Sequence, residues 1–377
     1  MQNLKYCRSC ILPNTRPNLF TDKSSAICNV CSTIKKKNKL INWIARKKEF
    51  IEIIKKTKKN NYIYDCLIPV SGGKDSTWQV ITALKYNLNP LCITWRSPSR
   101  NSIGQKNLNN LIKLGVDHID FTINEKVEKY FTLKAFNNFG NPLIPMHMAM
   151  HAITIRTAIE KKIKLVLWGE NSADEYGGVN KLKGKKMTNL WRSFYGMNYG
   201  KKVNYWFDKK LNVKNTFPYN LPSENEIKKH KIDELFLGYF FKWDPIKIFN
   251  ISKKKGFKNI QKPKTGYYNF ADIDDEFLIT IHHHLKWYKY GFTRLWDNLS
   301  IEIRNGRISR KKAISIIKRN EKQIPSREIN LFCKYLGISK SHFFSICDKL
   351  RNKGIWKKNN QNKWQIKNFL IKDFNWN

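Results

Sequence analysis

The stretch Tyr64-Asp65-Cys66-Leu67-Ile68-Pro69-Val70-Ser71-Gly72-Gly73-Lys74-Asp75-Ser76 runs from a short apolar strand through a two-glycine turn into a helix expected over Ser76–Tyr86. The two glycines permit a sharp turn and a close backbone approach. The amides at the start of the helix then face an anion with the positive end of the helix dipole behind them. Hydroxyls of Ser71 and Ser76 can donate to phosphate oxygens, Lys74 supplies a point charge, and Asp75 can help hold Mg²⁺. The hexapeptide lacks the longer spacing and the Gly-Lys-Ser/Thr ending of the common nucleotide P-loop, and it is not a dinucleotide fingerprint.

Outward from this loop, strands and helices alternate. Further strands are expected over Pro90–Trp95, Val116–Phe121 and Lys164–Trp168. Helices are expected over Gln105–Leu114, Val127–Asn137 and His151–Lys162, and an amphipathic helix over Ile41–Lys59 precedes the first strand. Such alternation predicts a parallel sheet covered on both faces. Residues 180–235 show no periodicity and read as an insertion or lid. Residues 236–320 read as mostly helical, and the tail carries helical segments at Glu328–Leu336 and Ser341–Lys353. The division expected is 1–40, 41–235 with the insertion at 180–235, and 236–377.

Cys7-x2-Cys10 and Cys28-x2-Cys31 stand seventeen residues apart. Two such pairs can wrap one tetrahedral Zn²⁺ in an N-terminal zinc ribbon. With four thiolates the shell is closed, so the ion is expected to be structural. The other four cysteines are scattered, and Cys66 and Cys92 fall inside strands as small core residues. This usage fits a reduced, cytoplasmic protein rather than a secreted disulfide scaffold. No apolar run is long enough to span a bilayer, and the N-terminus has no apolar signal-peptide core.

The chain of 377 residues has a formal net charge of +42. Lys outnumbers Arg and keeps company with Asn and Ile, as in Lys56-Thr57-Lys58-Lys59-Asn60-Asn61. That is the mark of compositional drift, whereas dedicated phosphate recognition leans on Arg. The charge alone therefore calls for no nucleic-acid partner.

Several further groups are candidates. Glu170 and Asn171 lie just past a strand end, where ligands bind in open α/β sheets; an N-cap turn is the plainer reading. Glu175-Tyr176-Gly177-Gly178 reads as a substrate clamp or an ordinary turn. His147 and His151, four apart, read as core or substrate-facing groups without a third metal ligand. His283, Lys286, Arg294, Arg304 and Arg307 can form a cationic pocket for a phosphate or carboxylate, or a solvated basic face.

The loop resembles the Ser-Gly-Gly-x-Asp-Ser motif of the PP-loop ATP pyrophosphatases. More of the chain resembles the N-acetyl sugar amidotransferases of bacterial surface-glycan pathways, the pseudaminic acid and lipopolysaccharide O-antigen types. The matching blocks are Pro13-x-Thr15-Arg16-Pro17, Leu114-Gly115-Val116-Asp117-His118, Trp168-Gly169-Glu170-Asn171, Trp243-Asp244-Pro245, His282-His283-His284-x-Lys286, Gly291-Phe292-x-Arg294 and Glu302-Ile303-Arg304-x-Gly306-Arg307. The 180–235 stretch matches weakly. The resemblance implies a doubly wound, adenine nucleotide alpha-hydrolase-like α/β domain with the zinc ribbon in front and a helical C-terminal region. It implies ATP and Mg²⁺ as well as Zn²⁺. The implied catalytic groups are Lys74, Asp75, Glu170 and Asn171, with Ser71, Gly72, Gly73 and Ser76 also at the nucleotide. The implied chemistry is adenylation of an N-acetyl oxygen on a sugar or sugar nucleotide, followed by attack of ammonia to give an acetamidino group. The chain shows no glutaminase nucleophile motif, so a glutaminase subunit and a cyclase-like ammonia-delivering subunit are expected as partners. The competing reading is a PP-loop tRNA-thiolating enzyme, which would need a reactive cysteine.

Overall fold

The computed structural model describes residues 4–59, 63–195, 200–320, 324–372, 374 and 376. Its centre is a five-stranded sheet in the order β3-β2-β1-β4-β5, every pair parallel. The strands are β1 (Cys66–Pro69), β2 (Pro90–Trp95), β3 (Asp117–Phe121), β4 (Leu165–Trp168) and β5 (Asp233–Phe236). Their alternation sorts the core. Cys66, Ile68, Cys92, Leu165 and Leu167 face one cluster. Leu67, Leu91, Ile93, Val166 and Trp168 face the other. The first layer is closed by Phe50 and Ile54 of the helix Trp43–Lys58, Val80 and Ala83 of Lys74–Lys85, Leu108 and Leu111 of Ser102–Ile112, and Ile248 of Pro245–Lys254. The second is closed by Ile153, Ile155 and Ala158 of the helix Ile144–Glu160. The fold is therefore doubly wound α/β. Connections from β1 run to β2 and β3 on one side, and β4 returns to the other side of β1. The strand order reverses beside β1, which opens the ligand crevice at its carboxyl end.

The chain enters that crevice at Gly72, whose φ is +86°. A Cβ there would stand 2.7 Å from the backbone nitrogen of Leu108. Both the dihedral and the neighbouring helix exclude a side chain.

The structure differs from the sequence expectations in two places. Residues 180–235 contain β5, the edge strand beside β4, so their last residues belong to the sheet. The tail, read as helical, has helices at Ser326–Leu336 and Lys340–Lys349 but then a hairpin of β6 (Trp356–Lys358) and β7 (Trp364–Ile366). Between the helices Pro245–Lys254 and Leu278–Tyr290 the chain is coil, and this coil folds back over the crevice. Asn101 Nδ2 donates to the carbonyl of Ile273 at 2.8 Å. The helices Leu278–Tyr290, Arg294–Arg304 and Arg310–Arg319 complete the C-terminal region, and the N-terminal cysteine module packs against the last two through Phe292, Trp296, Leu299 and Ala313.

Replacing Gly72 with Ala should lower unfolding stability by about 3 kcal/mol, the scale of a forced left-handed conformation at a non-glycine residue. Chemical denaturation of the purified chain measures it. A change within 0.5 kcal/mol would mean that the loop relaxes away from Leu108.

Candidate functional site

The loop after β1 is braced from within. The Gly73 amide donates to Ser71 Oγ at 3.1 Å, and the hydroxyls of Ser76 and Thr77 both donate to the Gly73 carbonyl at 3.0 Å. Gly73 is the N-cap of the helix Lys74–Lys85 and supplies no side-chain cap. The first-turn amides therefore point into the crevice without helical partners. Lys74 is buried, its Nζ 2.5 Å from Asp75 Oδ2 and 5.6 Å from the ring centre of Trp243. The indole of Trp243 donates to the other Asp75 oxygen at 3.1 Å. Lys74 and Asp75 thus form a fixed pair at the mouth of the loop.

Carboxylates surround this pair. Burial pushes Glu170 up to about 7, helped by the charge of Asp75 and opposed by Lys74. Burial likewise lifts Asp274 to about 6, with Asp275 and Asp272 adding repulsion and the nearby hydroxyl of Ser71 opposing the rise. Asp274 comes from the coil after the helix Pro245–Lys254, about two hundred residues from Ser71 in sequence. The coil's three aspartates have no periodic signature, and sequence reasoning missed them. Asp275 is structural. It accepts from the hydroxyls of Ser97 and Ser99 and from the amide of Ile279. Asp272 Oδ2 lies 3.6 Å from Arg294 Nε and 3.7 Å from His283 Nδ1. The Arg294 guanidinium stands 5.5 Å over the ring of Tyr176, which lies 5.9 Å from Trp243. Glu170, Tyr176, His283 and Arg294 are in this way brought to one crevice with the loop. Tyr176 rides on a π-helical turn, Ala173–Gly177, a form common at functional sites.

Other expected groups are used up elsewhere. The Asn171 amide has every hydrogen-bonding position taken: it donates to the carbonyls of Leu182 and Gly184 and accepts from Ala173 N and Trp191 Nε1. It pins the segment after β4 and has no capacity left for substrate, which corrects its catalytic assignment. Arg307 is bound to Glu302 at 2.5 Å and to Asp244 at 2.7 Å. Lys286 is bound to Asp297, 3.1 Å away. Neither is a free cation, so the expected pocket built on Lys286, Arg294, Arg304 and Arg307 is not what forms. Arg304 and Glu175 line a separate cavity of about 30 Å³ with Trp43, Lys242 and Trp243, room for a water and not for a sugar. Nε and Nη1 of Arg304 are buried there without a hydrogen-bond partner among the described residues. His151 is a core residue against Trp168, at 4.9 Å, and His147 bonds the Leu143 carbonyl at 2.8 Å.

Asp297 holds the region together. Arg16 of the cysteine module donates to it at 3.0 Å from one side and Lys286 at 3.1 Å from the other. These cations, with Arg294 nearby, keep its carboxyl far below the usual range although burial pushes the other way. Lys286 has a single acidic partner and two cationic neighbours, and burial lowers it.

Cys7, Cys10, Cys28 and Cys31 are all buried, and their sulfurs lie within 4.8 Å of one another, a set that could hold a metal ion. Cys7 and Cys31 sulfurs are 4.0 Å apart, Cys10 and Cys28 sulfurs 3.9 Å. The amides of Cys10 and Cys28 donate to Cys7 Sγ at 3.4 and 3.2 Å. The remaining cysteines are buried and unpaired with one another. Burial raises the thiol of Cys66 and takes that of Cys92 to about 12.

Residues 251–370 match the family described as the LPS biosynthesis protein WbpG-like, C-terminal domain. That span carries Asp272, Asp274, His283 and Arg294. A stretch of 88 residues is 33% identical to an uncharacterized protein of Methanocaldococcus jannaschii, covering 23% of this chain and 31% of that relative's length. Among solved structures, the chain is similar to NMN synthetase from Francisella tularensis at 13% identity, over 59% of this chain and 99% of that one, with a TM-score of 0.27. It is also similar to the U34-tRNA thiolase NcsA from Methanococcus maripaludis, solved with its 4Fe-4S cluster, at 15% identity over 81% and 88% of the two chains, TM-score 0.32. Both superpositions are distant, and the α/β assignment rests on the sheet order itself. No helix among the described residues is long and apolar enough to cross a membrane.

Asp297→Ala should cost about 3–5 kcal/mol, because it strands two buried cations. The Asp297 carboxyl is depressed in the folded state, so its contribution is complete at neutral pH. It starts to fade only below pH about 4, the unfolded value of an aspartate, and is lost as pH falls further. Thermal melts at pH 7 and pH 3 of wild type and variant should therefore differ by somewhat less at the lower pH, since most of the contribution is lost only as pH approaches the depressed folded-state value.

Proposed function

We propose that this chain is an ATP-dependent, AMP- and pyrophosphate-forming amidotransferase that converts an N-acetyl group of a bacterial surface-glycan sugar or sugar nucleotide to an acetamidino group. The observation that carries this reading is the junction at Ser71. The phosphate-type loop after β1 stands there beside Asp274, whose carboxyl is close enough to feel the Ser71 hydroxyl and which lies inside the segment that matches the LPS biosynthesis domain. In this reading nucleotide chemistry and glycan biosynthesis meet at one crevice.

In this reading the amides of the loop and of the first helical turn hold the nucleotide phosphates, with Lys74 as the fixed charge. Asp75 and Glu170 would hold Mg²⁺, a hard cation suited to carboxylate oxygens, which screens the phosphates when bound. A proton lifted onto Glu170 by burial is what that cation would replace. Arg294 and Tyr176 form the opposite wall, where the sugar would lie. The four N-terminal cysteines would hold Zn²⁺. Tetrahedral Zn–S bonds of about 2.3 Å place sulfurs roughly 3.8 Å apart, and the two close sulfur pairs stand at 3.9 and 4.0 Å. The site is expected in the cytoplasm, where nucleotide sugars and ATP are available. Ammonia would come from a glutaminase with its delivering partner.

The tRNA-thiolase alternative fares worse on one point. All eight cysteines are buried, and none has the electropositive, accessible setting of a sulfur-carrying thiol.

Three outcomes are expected. Turnover should release AMP and pyrophosphate; release of ADP would count against the reading, and Asp75→Ala should reduce turnover by about 10²-fold or more. Metal analysis of freshly reduced protein should find one zinc per chain. A brown protein containing iron and sulfide would instead favour the thiolase. The isolated chain should use ammonium salts, better as pH rises because ammonia is the nucleophile, but not glutamine. Efficient glutamine use by the single chain would end the partner proposal.

A further inference from the structure

The crevice wall opposite the phosphate loop contains a histidine with no role yet. His283 is on the helix Leu278–Tyr290 and is 7% exposed. Its Nδ1 faces Asp272 Oδ2 at 3.7 Å and Thr265 Oγ1 at 3.4 Å. Asp272 is held in the left-handed region at φ +57°, a strained position for a non-glycine residue. Its Oδ2 and the Nε of Arg294, 3.6 Å apart, are both buried without a hydrogen-bond partner among the described residues. An acid, a base and a guanidinium are thus packed together with unmet bonding capacity. They lie beside the loop, since Arg294 covers Tyr176, Tyr176 packs on Trp243, and the Trp243 indole donates to Asp75.

Amidine formation needs a proton acceptor. Ammonia attacking an O-adenylated, N-protonated acetamido carbon forms a C–N bond and leaves an ammonium on the tetrahedral centre. That nitrogen must lose a proton before the C–O bond to AMP breaks, with its electron pair leaving on the phosphate oxygen. While the proton stays, that nitrogen has no lone pair with which to help expel AMP, and the adduct can revert. In the amidotransferase reading the carboxylates nearest the loop, Asp75 and Glu170, are taken up by Mg²⁺.

We propose that His283, oriented by Asp272, accepts the proton that the attacking ammonia loses; this rests on the amidotransferase reading above. Nδ1–H turned toward Asp272 and Thr265 leaves the lone pair on Nε2. Burial, together with Lys286, Arg294 and His282 around it, keeps the imidazole neutral but lowers its proton affinity, and the Asp272 carboxylate 3.7 Å from Nδ1 is the group that offsets this when the proton arrives. Asp272 then faces the imidazolium while the proton is held, and the proton passes to solvent after AMP leaves.

The test separates the two half-reactions in the full-length, metal-loaded chain. The probe is the nucleotide-sugar fraction extracted from cells lacking this chain, supplied with magnesium, ATP and ammonium chloride. Sugar-dependent exchange of labelled pyrophosphate into ATP reads adenylation. Mass spectrometry of the acetamidino product reads ammonia transfer. In His283→Gln the ratio of amidination to exchange should fall about a hundredfold, the scale of a lost general base. In Asp272→Asn it should fall less. Wild type showing neither exchange nor product overturns the amidotransferase reading and this inference with it. Exchange and product in wild type with an unchanged ratio in His283→Gln overturns this inference alone. So does a proportional loss of both activities, which would make His283 a binding or packing group. If His283→Gln fails to fold, by circular dichroism, Asp272→Asn decides: an unchanged ratio there overturns the proposal.

Discussion

A single buried carboxylate, Asp297, sets the relation between the parts of this molecule. It is 2% exposed and lies between Arg16 from the cysteine module and Lys286 from the helix Leu278–Tyr290. Desolvating three charges is expensive, and an ion pair repays it only with good geometry on each side. The geometry here is available in one arrangement. The cysteine module must dock on the helix Arg294–Arg304, and that helix must lie beside Leu278–Tyr290. Once these are fixed, Arg294 is delivered to Tyr176 and Asp272, and His283 to the crevice. Truncating any partner leaves the others buried and uncompensated. The constraint therefore acts more on specificity of assembly than on net stability.

The cysteine module enters the site by the same route. Its Val30 packs so closely on Gly177 that a Cβ there would stand 2.4 Å from Val30 Cγ2. Gly177 closes the π-helical turn that positions Tyr176. A metal held by the four thiols would thus brace two walls of the crevice, through Arg16 and through Val30, without touching a reacting atom.

What could be read from the sequence was what is local. Ser71 to Ser76 and the two Cys-x2-Cys pairs are short spacings whose geometry follows from the backbone; β1, β2 and β4 announced themselves as apolar runs, and β3 was read from Val116–Phe121 after the helix end at Gly115. The strand β5 did not, because Asp233-Glu234-Leu235-Phe236 opens with two acids. Glu234 is buried only because Arg192 and the Trp168 indole bind it from distant positions. The hairpin of β6 and β7 is three residues a side and was lost among polar neighbours. The cationic pocket was misjudged for a related reason. Arg307 and Lys286 look available until the fold turns Glu302 back onto Arg307 and brings Asp244 to it, and sets Asp297 against Lys286. Asp272 and Asp274 were invisible because their meaning lies wholly in proximity to Ser71 and His283. For Asn171 the strand-end position was read correctly and the role was not. Its amide is consumed by the turn, the plainer of the two readings that its position allowed.

The charge pattern carries one more step. The chain has 71 Lys and Arg against 29 Asp and Glu, a drift that touches most of its surface. Against that background the crevice runs the other way: Asp75, Glu170, Asp272 and Asp274 gather around a loop built to receive phosphates. Anionic side chains beside an anionic ligand are repulsive, and more so in a partly buried site. Burial raises the pKa values of Glu170 and Asp274, and the neighbouring carboxylates add repulsion. Compositional drift does not explain the gathering, and a site for a bare polyphosphate would not retain it. A nucleotide arriving as its divalent-metal complex removes the conflict, since the cation offsets phosphate and carboxylate together. A cationic amidinium product would meet the same acids favourably once the phosphates have left. The acidic lining is thus consistent with both ends of the proposed reaction, a metal–nucleotide entering and a positively charged group being formed.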